Sequence, residues 1–297
     1  MKLFDLETLG VRGVADGRYA FGDMTGPRDR VLVFGAPGSG KTRLLELIVA
    51  VREMIAPADE TIDEDDFIRE EGSAAKVVAR FHLSPAEAAL VGASHPVVSA
   101  ELIFGGDTRV DPSLAFLLAR YDHSDATPKL EHFGERRRLD VGGGEMPLDE
   151  EHQKRFRTDG SPRKHAFVPG LLARLPSRPA EAQRFARGLA GLSRALRYDL
   201  ERHVLVSGTR DVPSLEQLSA SEADAVMFAA TATLVGLSSS IVLVDGPELH
   251  GLDPARALLG IAALGEDNQI VYATSLPELA QGFPGVVISL PTHAARF

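Results

Sequence analysis

The sequence predicts an α/β fold with a mostly parallel central sheet, and three apolar runs lead to this prediction. Residues 31–34 form an apolar run that is followed by a glycine-rich turn and a helical pattern over 43–48. Residues 241–244 and 269–273 form two further short runs that are apolar and rich in β-branched side chains. Strands that are apolar throughout are typical of parallel sheets covered on both faces.

The turn after the first run is a complete G-x-x-x-x-G-K-T phosphate loop. Its glycines let the backbone wrap around a polyphosphate, so that N–H groups and the positive end of the following helix point at the anion. Lys41 is placed to reach the β- and γ-phosphates, and Thr42 to ligate Mg²⁺. We therefore predict a site for a nucleoside triphosphate and Mg²⁺. The predicted nucleotide-contacting residues of this segment are Gly35, Ala36, Pro37, Gly38, Ser39, Gly40, Lys41, Thr42 and Arg43.

The second run ends in a carboxylate that completes the predicted metal site. Asp245 directly follows residues 241–244, at the end of a buried parallel strand. Mg²⁺ prefers oxygen ligands, so Asp245 is expected to hold the ion, directly or through water, together with Thr42. Since the motifs lie near opposite ends of the chain, both ends are expected to fold into one sheet within a single domain over 1–297.

Further motifs surround this strand in a recognisable order. Leu218–Glu222 precedes it and opens an uncharged helical stretch, while Pro247–His250 and Leu252–Pro254 follow it. The third run ends at Ser275. This order resembles the ABC-type ATPase superfamily, specifically the soluble AAA-family branch related to SMC and OLD-type heads. The resemblance covers about residues 28 to 50 and 214 to 290.

The resemblance implies a P-loop NTPase with an added antiparallel strand layer and a helical subregion. In such heads ATP is sandwiched in a head-to-tail dimer, so Ser219 of one subunit would cap the γ-phosphate held by Lys41 of the other. An ATP-dependent homodimer that switches an unidentified partner protein is therefore expected. Lys41, Asp245 and Glu248 are the implied catalytic residues. The further implied nucleotide-contacting residues are Ser219, Ser221, Glu222, Asp253 and Ser275.

Three positions depart from the family pattern and bear on turnover. Gly246 stands where the family has the glutamate that polarises the attacking water, Ser275 replaces the switch histidine, and Ser221 replaces a glycine. Losing a water-positioning group slows phosphoryl transfer while leaving binding intact. We therefore expect ATP binding with slow hydrolysis. Glu248 or His250 would substitute, or His250 is merely a loop residue; the sequence leaves both open.

Two alternatives to an ATPase follow from the same motifs. The first is a nucleotide-binding clamp or scaffold that does not hydrolyse ATP, because of Gly246 and Ser275. The second is a P-loop kinase of a small molecule, which explains neither Leu218–Glu222 nor Pro247–His250.

Composition is consistent with a cytoplasmic protein. The chain has 297 residues, 44% of them hydrophobic, and no cysteine, so disulfides and thiol catalysis are excluded. Its first residues contain no apolar stretch of the kind found in signal peptides. Ala225–Val244 is uncharged, but Gly236 and three serines divide it into a helix, a turn and a strand, so no membrane span is predicted.

The net charge of −10 does not support binding to nucleic acid. The charge is uneven, with an acidic block over Asp59–Glu71 and basic blocks over Arg136–Arg138 and Lys154–Lys164. Few aromatic side chains lie among the basic residues. We therefore interpret these blocks as solvated loops or partner contacts.

The middle of the chain is assigned more coarsely, within the divisions 1–140, 141–235 and 236–297. Strands are predicted over 74–83 and 97–104, flanking a helix that begins after Ser84; with residues 1–22 they would form the antiparallel layer. A further strand is predicted over 130–141. Residues 142–179 are predicted to form a long exposed connection, and 180–202 an amphipathic helix with its apolar stripe in the core.

Overall fold

The structure is a computed structural model that describes residues 1–57, 62–69, 74–119, 129–139, 157–158 and 162–291. The strands are β1 Lys2–Leu9, β2 Gly17–Ala20, β3 Gly22–Asp23, β4 Gly26–Pro27, β5 Arg30–Phe34, β6 Ala75–His82, β7 Val97–Phe104, β8 Arg109–Val110, β9 Lys129–Phe133, β10 Leu196–Asp199, β11 Val204–Ser207, β12 Arg210–Val212, β13 Ser240–Asp245, β14 Gln269–Thr274 and β15 Val286–Ser289. The α-helices are α1 Lys41–Ile55, α2 Pro85–Val91, α3 Pro112–Ala119, α4 Val168–Arg174, α5 Pro179–Leu192, α6 Ala220–Val235, α7 Pro254–Ala262 and α8 Pro277–Ala280.

The chain divides into two compact units. The first, here called the sheet unit, comprises Met1–His132, Ser239–Gly246 and Asp267–Phe297. The second, the helical unit, comprises Phe133–Ser238 and Pro247–Glu266. Both ends of the chain therefore contribute to the sheet unit, although the prediction of a single domain stays a prediction.

The sheet unit contains the predicted parallel sheet. Its strand order is β15-β5-β14-β13-β9, and β15, β5, β14 and β13 pair in parallel. Every residue of β13 and β14 is buried, which is why the residues between their ends are apolar. Because the strands are parallel, their carboxyl ends share one edge of the sheet.

The predicted antiparallel layer is a five-stranded sheet in the order β2-β1-β6-β7-β8. Side chains of β6 alternate between buried and half-buried, as expected for a sheet with one face on the core. Helix α2 begins at Ser84 with a capping box in which Ser84 and Glu87 bond each other's backbone N–H groups. The predictions of strands near 74–83 and 97–104 and of the helix between them are confirmed.

A buried glutamine joins β1 to the parallel sheet. The Oε1 atom of Gln269 accepts a hydrogen bond from the Leu3 N–H over 2.7 Å, and its Nε2 donates to the Leu3 carbonyl over 2.8 Å. Nε2 also donates to the carbonyl of Arg28 over 3.1 Å. The Gln269 side chain is 0% exposed. It thus satisfies the hydrogen-bonding capacity of buried backbone groups that the backbone of β14 does not reach.

The helical unit is built on the packing of α5 against α6 and α7. The backbones of α5 and α7 approach closely at Gly191 and Gly260, where a Cβ on Gly260 would lie 2.8 Å from the Gly191 carbonyl oxygen. A short antiparallel sheet, β10-β11-β12, completes this unit. None of the described helices is both long and apolar enough to cross a membrane.

Two predictions for the middle of the chain are wrong in extent. The strand predicted over 130–141 ends at Phe133, and the described residues 134–139 lie outside any strand. The helix predicted over 180–202 ends at Leu192, because Ser193 adopts an extended conformation and its Oγ accepts a hydrogen bond from the Leu196 N–H. The chain then continues into β10.

The connection predicted over 142–179 is mostly helical over the described residues 162–177, and several of its side chains are buried. The rest of it, apart from residues 157–158 and 178–179, lies outside the described residues. Residues 162–165 and 175–177 are short 3₁₀ helices, and α4 lies between them. Phe167, Val168, Leu171 and Leu175 are buried. Val168, Leu171 and Leu175 follow one another at three and four residues, which is the spacing of one helical face. Prolines and charged residues nearby obscured this pattern in the sequence.

Candidate nucleotide site and signature region

The phosphate loop lies between β5 and α1, as the motif requires. Gly38 and Gly40 adopt left-handed backbone conformations, with φ of 77° and 93°. A Cβ on Gly35 would overlap Ser39 Oγ, and one on Gly40 would overlap the carbonyl oxygen of Gly13. A Cβ on Gly38 would meet no atom within 4 Å, so the loop faces open space on that side.

Two side chains of the loop are directed at its own interior. The Nζ of Lys41 donates to the carbonyls of Gly35 and Ala36 over 3.0 and 2.9 Å. Ser39 is buried, and within the described residues its Oγ has no hydrogen-bond partner. A cationic amine held inside the curve of the loop and an unsatisfied buried hydroxyl are features that an oxyanion ligand would complete.

The side chain of Arg43 does not share this role. Its guanidinium donates to the carbonyls of Arg12 and Asp66 and to the carboxylate of Glu46, and stacks 4.0 Å from the ring of Phe67. Arg43 therefore fastens the start of α1 to two neighbouring segments. Only its backbone N–H, in the first turn of the helix, remains suited to a nucleotide.

The parallel sheet brings Asp245, the second predicted metal ligand, to the same edge as the loop. Asp245 is the last residue of β13 and is 4% exposed. It pairs with Ala273 of β14, while Thr274 pairs with Phe34 at the end of β5. Asp245, Ser275 and the phosphate loop therefore all follow carboxyl ends of adjacent strands, where parallel α/β sheets bind ligands.

These residues fit a triphosphate with Mg²⁺. The loop would offer glycine backbone, the helix start and Lys41 to the phosphates, while Thr42 and Asp245 would offer oxygen ligands to the ion. Gly246, directly after Asp245, has a φ of 58° and donates its N–H to the Ala273 carbonyl over 2.9 Å. The position at which the resembling ATPases have a water-polarising glutamate is thus occupied by a residue with left-handed backbone.

The predicted signature segment lies in the helical unit, at the start of α6. Ser219 is the N-cap, and it forms a capping box with Glu222. Glu222 also accepts hydrogen bonds from the hydroxyls of Ser207 and Ser219. Burial raises the pKa of this carboxyl, but the hydrogen bonds from Ser207 and Ser219 outweigh it, and the pKa is lowered overall. Ser221 lies beside Ser219, with 3.3 Å between their hydroxyl oxygens.

The remaining predicted residues lie in the segment 247–266 of the same unit. Asp253 is the N-cap of α7 and accepts a hydrogen bond from the Arg256 N–H over 2.9 Å. The Arg256 guanidinium in turn donates to the carbonyls of Ala190 and Ser193 at the end of α5. Glu248 is half-buried and precedes a short 3₁₀ helix over 249–251. In this structure Asp253 therefore caps the N-terminus of α7.

A buried ionic cluster in the helical unit was not predicted from the sequence. Arg137 donates from Nε and Nη2 to the two carboxylate oxygens of Asp224, over 2.8 and 2.9 Å. The Nδ1 of His250 lies 3.3 Å from Asp224 Oδ1. The prediction that Arg136–Arg138 is a solvated loop or partner contact is therefore wrong for Arg137, although Arg136 and Arg138 are exposed.

Comparison with known proteins gives structural but no sequence relatives. No protein-family model matches the sequence, and no curated protein matches it either. A crystal structure of an SMC head bound to the C-winged helix domain of ScpA is similar in structure, with a TM-score of 0.61 and 14% identity over 97% of this chain and 94% of that one. This likeness shows a shared fold.

Two structures of the recombination mediator protein RecF are similar to a lesser degree. RecF with ATP has a TM-score of 0.47 and 10% identity over 93% of this chain and 92% of that one. A second RecF structure, described as RecF-ATPrS, has a TM-score of 0.48 and 9% identity, over 97% and 96%.

Proposed function

We propose that this chain, which has the fold of an ABC-type ATPase head, binds ATP with Mg²⁺ and hydrolyses it slowly. The observation that carries the proposal is the arrangement at one edge of the parallel sheet. There the phosphate loop with Lys41 and Thr42 follows β5, and Asp245 ends β13 two strands away, with β14 between them. Lys41 would neutralise the phosphates, and Thr42 and Asp245 would hold Mg²⁺.

We propose slow turnover because of the residues that directly follow strands β13 and β14. Gly246 has no side chain to polarise water, and Ser275 offers a hydroxyl where the resembling heads have an imidazole. Glu248 is the carboxylate retained from the family motif, and we assign it a supporting catalytic role.

We further propose that ATP drives head-to-tail pairing of two copies. The basis is the start of α6, where Ser219, Ser221 and the helix N-terminus present donors that suit a phosphate. Asp253 would lie in the loop that faces the second copy. The paired state would then switch a partner protein in the cytoplasm, in the way that the SMC head binds a domain of another protein.

Phosphate release tests the hydrolysis part of the proposal. Purified protein is mixed with Mg-ATP at concentrations that permit pairing, and Lys41→Ala serves as the blank. Release above the blank is expected. Equal release, together with ATP binding by isothermal titration in the wild type, would favour a non-hydrolysing clamp.

Sedimentation with and without Mg-ATP tests the pairing. Wild type is expected to sediment as a dimer only with ATP, whereas Ser219→Phe should stay monomeric and still bind ATP. Ser84→Phe is the matched control, because it removes the same kind of capping box from α2 in the sheet unit. A dimer in Ser219→Phe equal to that of the wild type would contradict the head-to-tail arrangement.

The clamp is the second candidate function, and Gly246 favours it. A clamp would pair on ATP and release no phosphate, so the two experiments together separate it from the ATPase. A small-molecule kinase would bind ATP without pairing.

A further inference from the structure

We infer that Arg69 is a positioning residue for the proposed nucleotide site. It holds the loop over residues 10–16 against the phosphate loop, and thereby fixes Gly40 before ATP binds. The inference rests on the proposed ATP binding and adds a residue that acts on the site from outside the motif. Arg69, loop 10–16 and the phosphate loop all belong to the sheet unit, so all their contacts lie within that unit.

Arg69 contacts loop 10–16, which joins β1 to β2, with both its backbone and its side chain. Its N–H donates to the Gly10 carbonyl over 3.1 Å. Its Nη2 donates to the carbonyl of Val14 over 2.8 Å and to that of Val11 over 3.2 Å. The guanidinium also pairs with both carboxylate oxygens of Asp16, over 2.8 and 3.2 Å. A single residue therefore joins the start, the middle and the end of the loop.

Asp16 closes the same loop from its other end. Its Oδ1 accepts a hydrogen bond from the Gly10 N–H over 2.8 Å, so the first and last residues of the loop are joined directly. Burial raises the pKa of the Asp16 carboxyl, but the hydrogen bonds from Arg69 and from the Gly10 N–H outweigh it and lower the pKa overall. Asp16 is therefore ionised at neutral pH, and the guanidinium of Arg69 matches its charge.

The segment that carries Arg69 is packed onto the sheet unit through its apolar residues. The described residues 62–69 belong to the acidic block of the sequence, yet Phe67 and Ile68 are buried. Ile68 also forms a β-bridge with Val11 of the loop. The backbone of Arg69 is thus held in place, and its side chain reaches the loop from a fixed position.

Loop 10–16 meets the phosphate loop at Gly13. A Cβ on Gly40 would overlap the Gly13 carbonyl oxygen, so the two backbones are in direct contact. Gly40 is the N-cap of α1 and has a left-handed φ of 93°. The N–H groups at this helix start are the donors expected to bind the phosphates. The position of Gly13 therefore limits the conformations that are open to the first donors of the nucleotide site.

Release of loop 10–16 should lower ATP affinity and leave turnover unchanged. Without Arg69, Gly40 would sample more conformations before ATP binds and would have to be ordered on binding. Fixing the backbone of one residue costs a free energy equivalent to about a tenfold change in a dissociation constant. Once ATP is bound, the phosphates themselves hold the phosphate loop, so kcat for phosphate release should not change.

Isothermal titration with Mg-ATP and phosphate release test this role. Arg69→Gln keeps one donor but loses the charge and the paired donors, so Kd and KM for ATP are expected to rise about tenfold at unchanged kcat. Arg69→Lys keeps the charge but not the paired donors, and its Kd should lie between those of Arg69→Gln and the wild type. Asp16→Asn added to Arg69→Gln should change Kd little further, because both substitutions break the same contact.

Arg28→Gln is the matched control. Arg28 pairs with Asp23 in the same unit, and its side chain is 48% exposed, against 40% for Arg69. It lies just before β5, at the end of that strand opposite the phosphate loop. Arg28→Gln thus loses a similar ion pair without affecting loop 10–16, and it is expected to bind ATP like the wild type.

Hydrogen exchange separates positioning from general stabilisation. In Arg69→Gln, amides of residues 10–16 and 40–44 are expected to exchange faster than in the wild type without ATP and to regain protection with it, while those of β6 should not change. A rise in Kd without faster exchange over 10–16 would overturn the inference. So would a Kd in Arg69→Gln equal to that of the wild type, which would leave the proposed ATP binding intact.

Asp16→Asn alone keeps the test available if Arg69→Gln does not fold. It retains an acceptor for the Gly10 N–H and removes the half-exposed ion pair, so Kd for ATP should rise about threefold. A Kd equal to that of the wild type would contradict the role of Arg69. A wild-type protein that does not bind Mg-ATP would overturn both this inference and the proposed function.

Discussion

Arg137 and Asp224 form a doubly hydrogen-bonded ion pair, with side chains that are 1% and 0% exposed. Arg137 lies just after β9, and Asp224 lies in the second turn of α6, 87 residues later. The pair thus joins two segments of the helical unit that are distant in sequence. Its formation removes two charges from water, so each partner depends on the other.

Replacing one partner is expected to be costly. Arg137→Met should lower the free energy of unfolding by about 3–5 kcal/mol, because Asp224 would be left as an uncompensated buried charge. Chemical denaturation measures the change. Arg136→Met is the control: Arg136 is exposed, so its loss should change stability by less than about 0.5 kcal/mol. Equal losses of unfolding free energy in the two variants would show that the Arg137–Asp224 ion pair does not stabilise the fold.

The Glu222 carboxylate at the start of α6 should contribute less to the stability of the fold in acid. Hydrogen bonds from Ser207 and Ser219 hold the pKa of Glu222 below its ordinary value of 4.5, against the opposing effect of burial. A lowered pKa in the folded state stabilises the protein above the unfolded pKa, and this contribution is lost as pH falls below about 4.5 and through the folded value.

Denaturation of wild type and Glu222→Gln between pH 7 and pH 3 measures this contribution. Glutamine keeps the capping box but cannot titrate, so the two proteins should differ most at pH 7 and converge towards pH 3. Glu216→Gln, at an exposed position of the preceding 3₁₀ helix, should show no such convergence. A constant difference between wild type and Glu222→Gln would contradict the assignment.

The sequence was sufficient for features that depend on local pattern. The phosphate loop, the strand ending at Asp245 and the helix that Leu218–Glu222 opens each combine a short motif with a short apolar run, and each lies where predicted. The split of Ala225–Val244 into helix, turn and strand followed from Gly236, which indeed ends α6 with a left-handed backbone.

The sequence was insufficient where long-range contacts decide the structure. Arg137 looks like its two neighbours in a basic run, and only the position of Asp224 makes it a buried residue. Leu196 continues the apolar spacing of α5, but pairing with β11 draws it into a strand. The conformation of His250 depends in the same way on Asp224, so no local signal identified it.

The close approach of two loops at Gly40 should make this glycine indispensable for nucleotide binding. Alanine at position 40 would strain the left-handed backbone and overlap the Gly13 carbonyl oxygen, so the loop would have to move. Gly40→Ala is expected to lose ATP binding measured by isothermal titration. Gly92→Ala is the control, since φ is 64° there and a Cβ meets no atom within 4 Å. It should cost about 1–2 kcal/mol of stability and bind ATP normally.

Arg43 should matter more for stability than for nucleotide affinity. Arg43→Leu removes the contacts to Arg12, Asp66 and Phe67, and should lower the free energy of unfolding by about 1–3 kcal/mol. Affinity for ATP should fall much less than in Lys41→Ala. Glu46→Ala is the control because its carboxylate is 44% exposed, and an exposed partner contributes under about 1 kcal/mol. An Arg43→Leu protein as stable as wild type would show that the guanidinium contacts are dispensable.

Placing at position 246 the glutamate that the resembling ATPases have there should not give fast hydrolysis. With φ at 58°, a side chain on residue 246 would leave the backbone in a different direction from one on an extended residue, and the left-handed conformation would cost it about 1–2 kcal/mol. A carboxylate must lie within hydrogen-bond reach of the water to polarise it, and we expect the altered direction to carry the carboxylate out of that reach. Gly246→Glu is therefore expected to release phosphate no faster than the wild type. Gly246→Asn, which tolerates the same backbone, is the control for stability. A more than tenfold gain in kcat for Gly246→Glu would mean that the backbone adapts and that only the side chain was missing.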